Sequence, residues 1–201
     1  MTVVISTSEV YAYGFVALIG FIILRRAWVI TQGAPVRMVR LVVLPVGYLA
    51  LYVGELAAIG YGVLGTSQAV PVYAGFGVDA GLLLLGVWVA YRYTRAHVHV
   101  YQDPGSSAWM YRMESLLPVL YVALYFIRTG IETVVLGLSP LVFPTAATFV
   151  GVSPLSLYLV FAVDALWGLS TGFLLGRSGA VYHEWQQKLA APQPSSDAAL
   201  P

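Results

Sequence analysis

The sequence predicts an all-α protein, a polytopic bundle of transmembrane helices. Three observations predict it. Hydrophobic residues make up 59% of the 201 residues and charged residues only 9%, whereas a soluble domain carries about 25% charge. Five apolar stretches approach the roughly 20 residues that a helix needs to cross a bilayer core. Lys and Arg recur at one end of each stretch, in the alternation that the positive-inside rule requires. The net charge of +1 gives no reason to expect a nucleic-acid partner. The absence of cysteine excludes a thiol–disulfide carrier and any thiolate metal site.

The spans run over about 8–24, 41–64, 70–91, 115–137 and 155–176. The first has neither the basic start nor the small-residue cleavage site of a signal peptide, so it reads as a retained helix. Residues 138–154 are apolar but interrupted by Pro140, Pro144 and Pro154. They read as an outer loop or a shallow re-entrant turn. Arg25, Arg26, Arg37 and Arg40 follow span 1; Arg92, Arg95 and Arg112 lie between spans 3 and 4; Arg177 and Lys188 follow span 5. Loops 65–69 and 138–154 contain neither Lys nor Arg. The N-terminus is therefore expected outside and the C-terminus in the cytoplasm, in a multi-pass protein of the cell membrane. Residues 1–189 form a single transmembrane domain, and the polar tail 190–201 is expected to be disordered. Residues 95–101 alternate polar and apolar. With Asp103-Pro104-Gly105-Ser106 as a turn, they predict either a hairpin or a surface-lying helix on the cytoplasmic side.

Self-comparison indicates a parallel duplication of a two-helix unit, spans 2–3 and 4–5. Residues 44–52 (LPVGYLALY) and 117–125 (LPVLYVALY) agree at seven of nine positions. Residues 73–92 align with 158–177 through Tyr73/Tyr158, Phe76/Phe161, Asp79/Asp164 and Arg92/Arg177. The bland alternative is chance similarity between helices that share a small alphabet. Two units crossing in the same direction would be related by a pseudo-two-fold axis along the membrane normal.

Charged residues inside the spans are the candidate site. Glu55, Asp79, Arg128 and Asp164 fall near mid-span, with Glu132 one turn beyond Arg128. A charge at that depth costs about 2.5–3.5 kcal/mol on insertion scales. Tyr48, Tyr52 and Glu55 share one helical stripe, and Tyr121, Tyr125, Arg128 and Glu132 share another; both must face the bundle interior. The repeat axis brings Glu55 towards Arg128 as an expected ion pair, flanked by Asp79 and Asp164. Four acids then face one arginine. The surplus acids would stay protonated, or hold a cation or water. That surplus argues for function, because a structural layer balances its charges. The competing reading is that the acids are protonated hydrogen-bonding groups between closely packed helices. Gly77 and Gly81 around Asp79, and Gly168, Gly172 and Gly176 beyond Asp164, supply small-residue faces for such packing.

His97, His99 and His183 are the only histidines, and all fall on the expected cytoplasmic side. A solvated surface pair accounts for His97 and His99 better than a metal site does, and no haem ligand lies within a span. Trp28, Tyr91, Tyr93, Trp109, Tyr111 and Trp185 read as interfacial belts. No phosphate loop, nucleophile elbow or metalloprotease helix is present, and no cofactor is implied.

Several pieces form a pattern. Pro35-Val36 leads to Leu44-Pro45. The strand-like 98–101 is followed by Arg112. Arg128 lies in the next helix, and the final helix ends near Arg177. Over roughly residues 20–185 this layout resembles the CcdC-like family of small polytopic membrane proteins. The resemblance implies a membrane-embedded helical protein, from a family named for genes near cytochrome c maturation factors. It implies no defined activity and carries over no functional residue, since Glu55, Asp79 and Asp164 have no place in its pattern.

Three functions fit the residues. A proton, small cation or small solute could pass along Glu55, Asp79, Asp164 and Arg128, lined by Tyr48, Tyr52, Tyr121 and Tyr125. Alternatively the chain is a non-catalytic accessory or assembly factor. A third option is a membrane enzyme acting on a lipid or prenyl substrate. The lipid bilayer is the expected partner, and the small bundle is compatible with a homodimer or a membrane-complex partner.

Overall fold

The protein is described by a computed structural model for residues 7–64, 69–131 and 154–190. It is mostly helical, 82% in five helices, and the remainder is dominated by one small sheet at one end of the bundle.

Helix α1 covers Thr7–Gln32. It ends at Gly33, whose φ of +123° is a left-handed conformation that other residues rarely adopt. A Cβ here would also lie 2.7 Å from the Tyr101 hydroxyl. The chain turns at Gly33 into strand β1, Ala34–Pro35. A π-helical turn over Val39–Val43 leads into α2, Leu44–Val63. Pro45 lacks an N–H for the helical ladder, and the wide turn just before it accommodates that missing donor.

Helix α3 covers Ala69–His97 and passes directly into β2, Val98–Gln102. Strand β3, Trp109–Met113, pairs antiparallel with β2 from Val98↔Met113 to Gln102↔Trp109. The sheet order is β1-β3-β2, with Ala34 opposite Tyr111. Asp103 holds the hairpin turn: its backbone N–H donates to Ala108 O at 2.9 Å, and its side chain accepts from Ser106 Oγ at 2.6 Å. Of the two sequence expectations for this region the hairpin is the one observed. The helix before it reaches three residues further than the alternation suggested, through His97, whose Nδ1 lies 2.8 Å from Tyr93 O. Helix α4 covers Leu116–Gly130, and α5 covers Pro154–Ala190. The loops 65–69 and 138–154 lie wholly or almost wholly outside the described residues, and the tail beyond Ala190 lies outside them as well.

Helices α3 and α5 make the closest contact in the molecule. Gly75 meets Phe161, Gly86 meets Gly172, and Gly176 meets Val87 and Tyr91. The contact points advance together along both helices, so the two run parallel. A Cβ at Gly172 or Gly176 would collide with α3 backbone. The glycines responsible differ in part from those expected: Gly77 and Gly81 face open space, and Gly75 and Gly86 do the packing on α3. The partner-side glycines of α5 are those expected.

Near the sheet a continuous apolar core joins Ile30, Ala90, Val100, Tyr111, Met113 and Phe173 among others. Tyr111 is thus a core residue of the sheet rather than part of an aromatic belt, whereas Trp28 is 67% exposed. Elsewhere the polarity is inverted. Phe21, Leu51, Leu84, Trp88 and Val119 cover the outside, while Glu55, Asp79, Asp164 and Arg177 are buried. Among the described residues two helices, Val39–Tyr61 and Val72–His97, are long and apolar enough to cross a membrane; Leu116–Gly130 is a shorter apolar helix.

Candidate functional site

Three of the acids from the apolar stretches converge on one phenol. Tyr52 on α2 is 2% exposed, and its hydroxyl lies within the electrostatic reach of Asp79, Asp164 and Glu55. Helical spacing explains the local part: Tyr52 and Glu55 are three apart on one face of α2. The rest comes from the glycine contact. A Cβ at Gly168 would sit 2.8 Å from the Tyr52 hydroxyl and 3.1 Å from Asp79 O. Gly168 therefore lets α2, α3 and α5 meet where their acids lie. Asp79 is 1% exposed, and neither of its carboxylate oxygens has a hydrogen-bond partner among the described residues. Glu55 and Asp164 are likewise buried, and each is engaged by other groups.

Trp167, one turn beyond Asp164, is the residue that sequence reasoning missed. Its ring meets Tyr52 edge-on, with centroids 5.7 Å apart. The Arg128 guanidinium lies over the same ring, 4.1 Å from its centroid. Trp167 thus bridges the tyrosine–acid cluster to the arginine of α4, a placement worth about 0.5–2 kcal/mol from the cation–π contact. A signal was present: Trp167 follows Asp164 by three residues, on its face of the helix. Tyr125 also has partners in the structure and packs edge-on against Phe126. Glu132 lies outside the described residues.

The other two tyrosines belong elsewhere. Tyr48 and Tyr121 are hydrogen-bonded to each other, near Arg177 and Arg26. They line a cavity of about 250 Å³ at the sheet end of the bundle. Each of the two polar stripes expected from the sequence is therefore divided between the acidic cluster and, nearer the sheet, a basic cavity.

Among the described residues no group of three His, Asp or Glu is placed to hold a metal ion. His97 stacks on Tyr93 with centroids 4.2 Å apart and approaches Glu114 at 3.8 Å. His99 faces Arg112 across the hairpin. Arg95 and Glu184 link the ends of α3 and α5 at 3.5 Å; such a partly exposed pair contributes little, at most about 1 kcal/mol.

No protein-family model matches this chain, and no curated protein or solved structure matches it either.

Proposed function

We propose that the chain is a multi-pass protein of the cell membrane whose buried carboxylate cluster binds and passes a proton or a small monovalent cation. In this reading five helices span the bilayer, the N-terminus is outside, and the sheet end faces the cytoplasm. The observation that carries the function is Asp79. It is 1% exposed and unpartnered among the described residues, beside a phenol shared with Glu55 and Asp164. A bare carboxylate in such surroundings is costly, so the group is suited to taking up a proton or a cation. Arg128, held on Trp167, limits how many of the acids can be charged together.

The proposed duplication supports this arrangement. Gly86 touches Gly172 at nearly the offset that aligns Asp79 with Asp164, as a pseudo-two-fold axis between α3 and α5 requires. The CcdC-like affiliation rests on the sequence pattern alone.

A second reading, an accessory or assembly subunit, is favoured by one fact: the acids lie where α3 and α5 pack through glycine, so they could serve helix association. Flux separates the two. Full-length protein in sealed liposomes is expected to pass protons or a monovalent cation, and Asp79→Asn/Asp164→Asn is expected to abolish that flux while the protein stays folded. A well-folded wild type with no flux to either ion would overturn the transport reading and leave the accessory one.

A further inference from the structure

The cavity at the sheet end lies outside the acidic cluster and has a different chemistry. Helices α1, α2, α4 and α5 line it, and its polar lining consists of Arg26, Arg177, Tyr48 and Tyr121. We propose that this cavity is a binding site for a phosphate-bearing anion, gripped by Arg26 and Arg177 and completed by the two tyrosine hydroxyls.

The first argument is charge. The groups that act on Arg26 are Arg177, Tyr111, Tyr121 and Tyr48, with no carboxylate among them. Arg177 is 9% exposed, and neither arginine forms an ion pair among the described residues. Two like charges brought to one largely apolar cavity repel each other and are poorly hydrated. An anion between them removes both costs.

The second argument is the kind of donor. Guanidinium groups offer paired N–H bonds that match phosphate oxygens, which is why arginine recognises phosphate so often. The Tyr48–Tyr121 hydrogen bond uses one phenolic hydrogen. The accepting hydroxyl keeps its own hydrogen for a third group. A carboxylate ligand would be served by one arginine; two arginines and a hydroxyl suit an anion with three or four acceptor oxygens.

The third argument is shape. A volume of about 250 Å³ far exceeds the roughly 30 Å³ share of a water molecule. It accommodates a phosphate group with space left over. The rest of the wall is hydrocarbon, chiefly Ile19, Ile22 and Ile23 of α1 with Leu174 of α5. Beyond the α1–α4 contact lies an apolar groove of about 510 Å³ that shares Ala27 and Pro118 with the cavity. Basic pockets between spanning helices at the cytoplasmic side are suited to lipid head groups. The same donors would also hold free phosphate, so the test must separate the two sources.

Full-length protein in a neutral detergent would be titrated with inorganic phosphate and, separately, with a short-chain phosphatidic acid, with binding followed by thermophoresis. Binding of either probe is expected, weakened about tenfold or more by Arg26→Gln and by Arg177→Gln, the loss of one charge-assisted contact. Arg25→Gln, an exposed arginine on the neighbouring groove, is expected to leave binding unchanged. Phosphatidic acid alone identifies a lipid head group as the source; inorganic phosphate binding equally well identifies free phosphate. Should Arg177→Gln fail to fold, Arg26→Gln and Tyr48→Phe/Tyr121→Phe decide the matter. The proposal is overturned if neither probe binds, if the Arg26 and Tyr48/Tyr121 variants bind as wild type, or if Arg25→Gln weakens binding as much as Arg26→Gln.

Discussion

Tyr48 and Tyr52 are one turn apart on α2, yet they sit in surroundings of opposite sign. Tyr52 looks onto Asp79, Asp164 and Glu55; Tyr48 shares a cavity with Arg26 and Arg177. The difference comes from the other helices. Asp79 arrives on α3 and Arg26 on α1, while α2 supplies a tyrosine to each site. Helix α5 also serves both, with Asp164 and Trp167 in one and Arg177 in the other. A stripe at helical spacing fixes which side chains share a face. It does not fix which of them share a site, because that depends on neighbours distant in sequence.

The most damaging way to test this division is to remove the contact on which both sites hang. A side chain at Gly172 would run into the backbone at Leu83 and Val87, so Gly172→Leu must push α5 away from α3. Overpacking of this kind costs about 1–3 kcal/mol or more, and here no flexible side chain can yield. The expected outcome is little or no monodisperse protein by size-exclusion chromatography. A variant as stable as wild type would show that the helix contact is not what assembles the two sites.

A smaller effect confined to the acidic side is expected from Trp167→Leu. It removes the edge contact to Tyr52 and the platform under Arg128, together on the order of 1–3 kcal/mol. The melting temperature in detergent should fall by several degrees, with affinity for the phosphate probe unchanged. Equal loss at both sites would mean that they are one coupled unit. The smallest effect is expected from Tyr48→Phe, which deletes one hydrogen bond worth about 1 kcal/mol. A drop of a few degrees, and a few-fold weaker phosphate binding, would place the hydroxyl where the cavity needs it.

Much of the helical architecture was legible because the length of an apolar stretch is a local signal. The hairpin was legible too, from period-two alternation and an Asp-Pro-Gly-Ser turn. Convergence of Glu55, Asp79 and Asp164 followed from the cost of charge in apolar stretches, which leaves them nowhere to go but inward. What escaped was set by packing. Gly77 and Gly81 flank Asp79 in sequence but point away from α5, whereas Gly75 and Gly86 do not flank it and make the contact. Trp167 read as one more aromatic, since nothing in the sequence states that a ring will lie between Tyr52 and Arg128. The pairing of Arg26 with Arg177 joins residues 151 positions apart, and only the fold brings them to one cavity.

The π-helical turn at Val39–Val43 stands at the base of α2. Beyond it the helix is regular, so a tilt at that turn would carry it as a rod. Counting from Leu44 at 1.5 Å per residue, Tyr48 lies about 6 Å along the rod and Glu55 about 16 Å. Any swing of α2 therefore displaces Glu55 nearly three times as far as Tyr48. The acids thus stand at the long end of the rod, where a given change of angle counts most, and the tyrosine of the basic cavity stands at the short end.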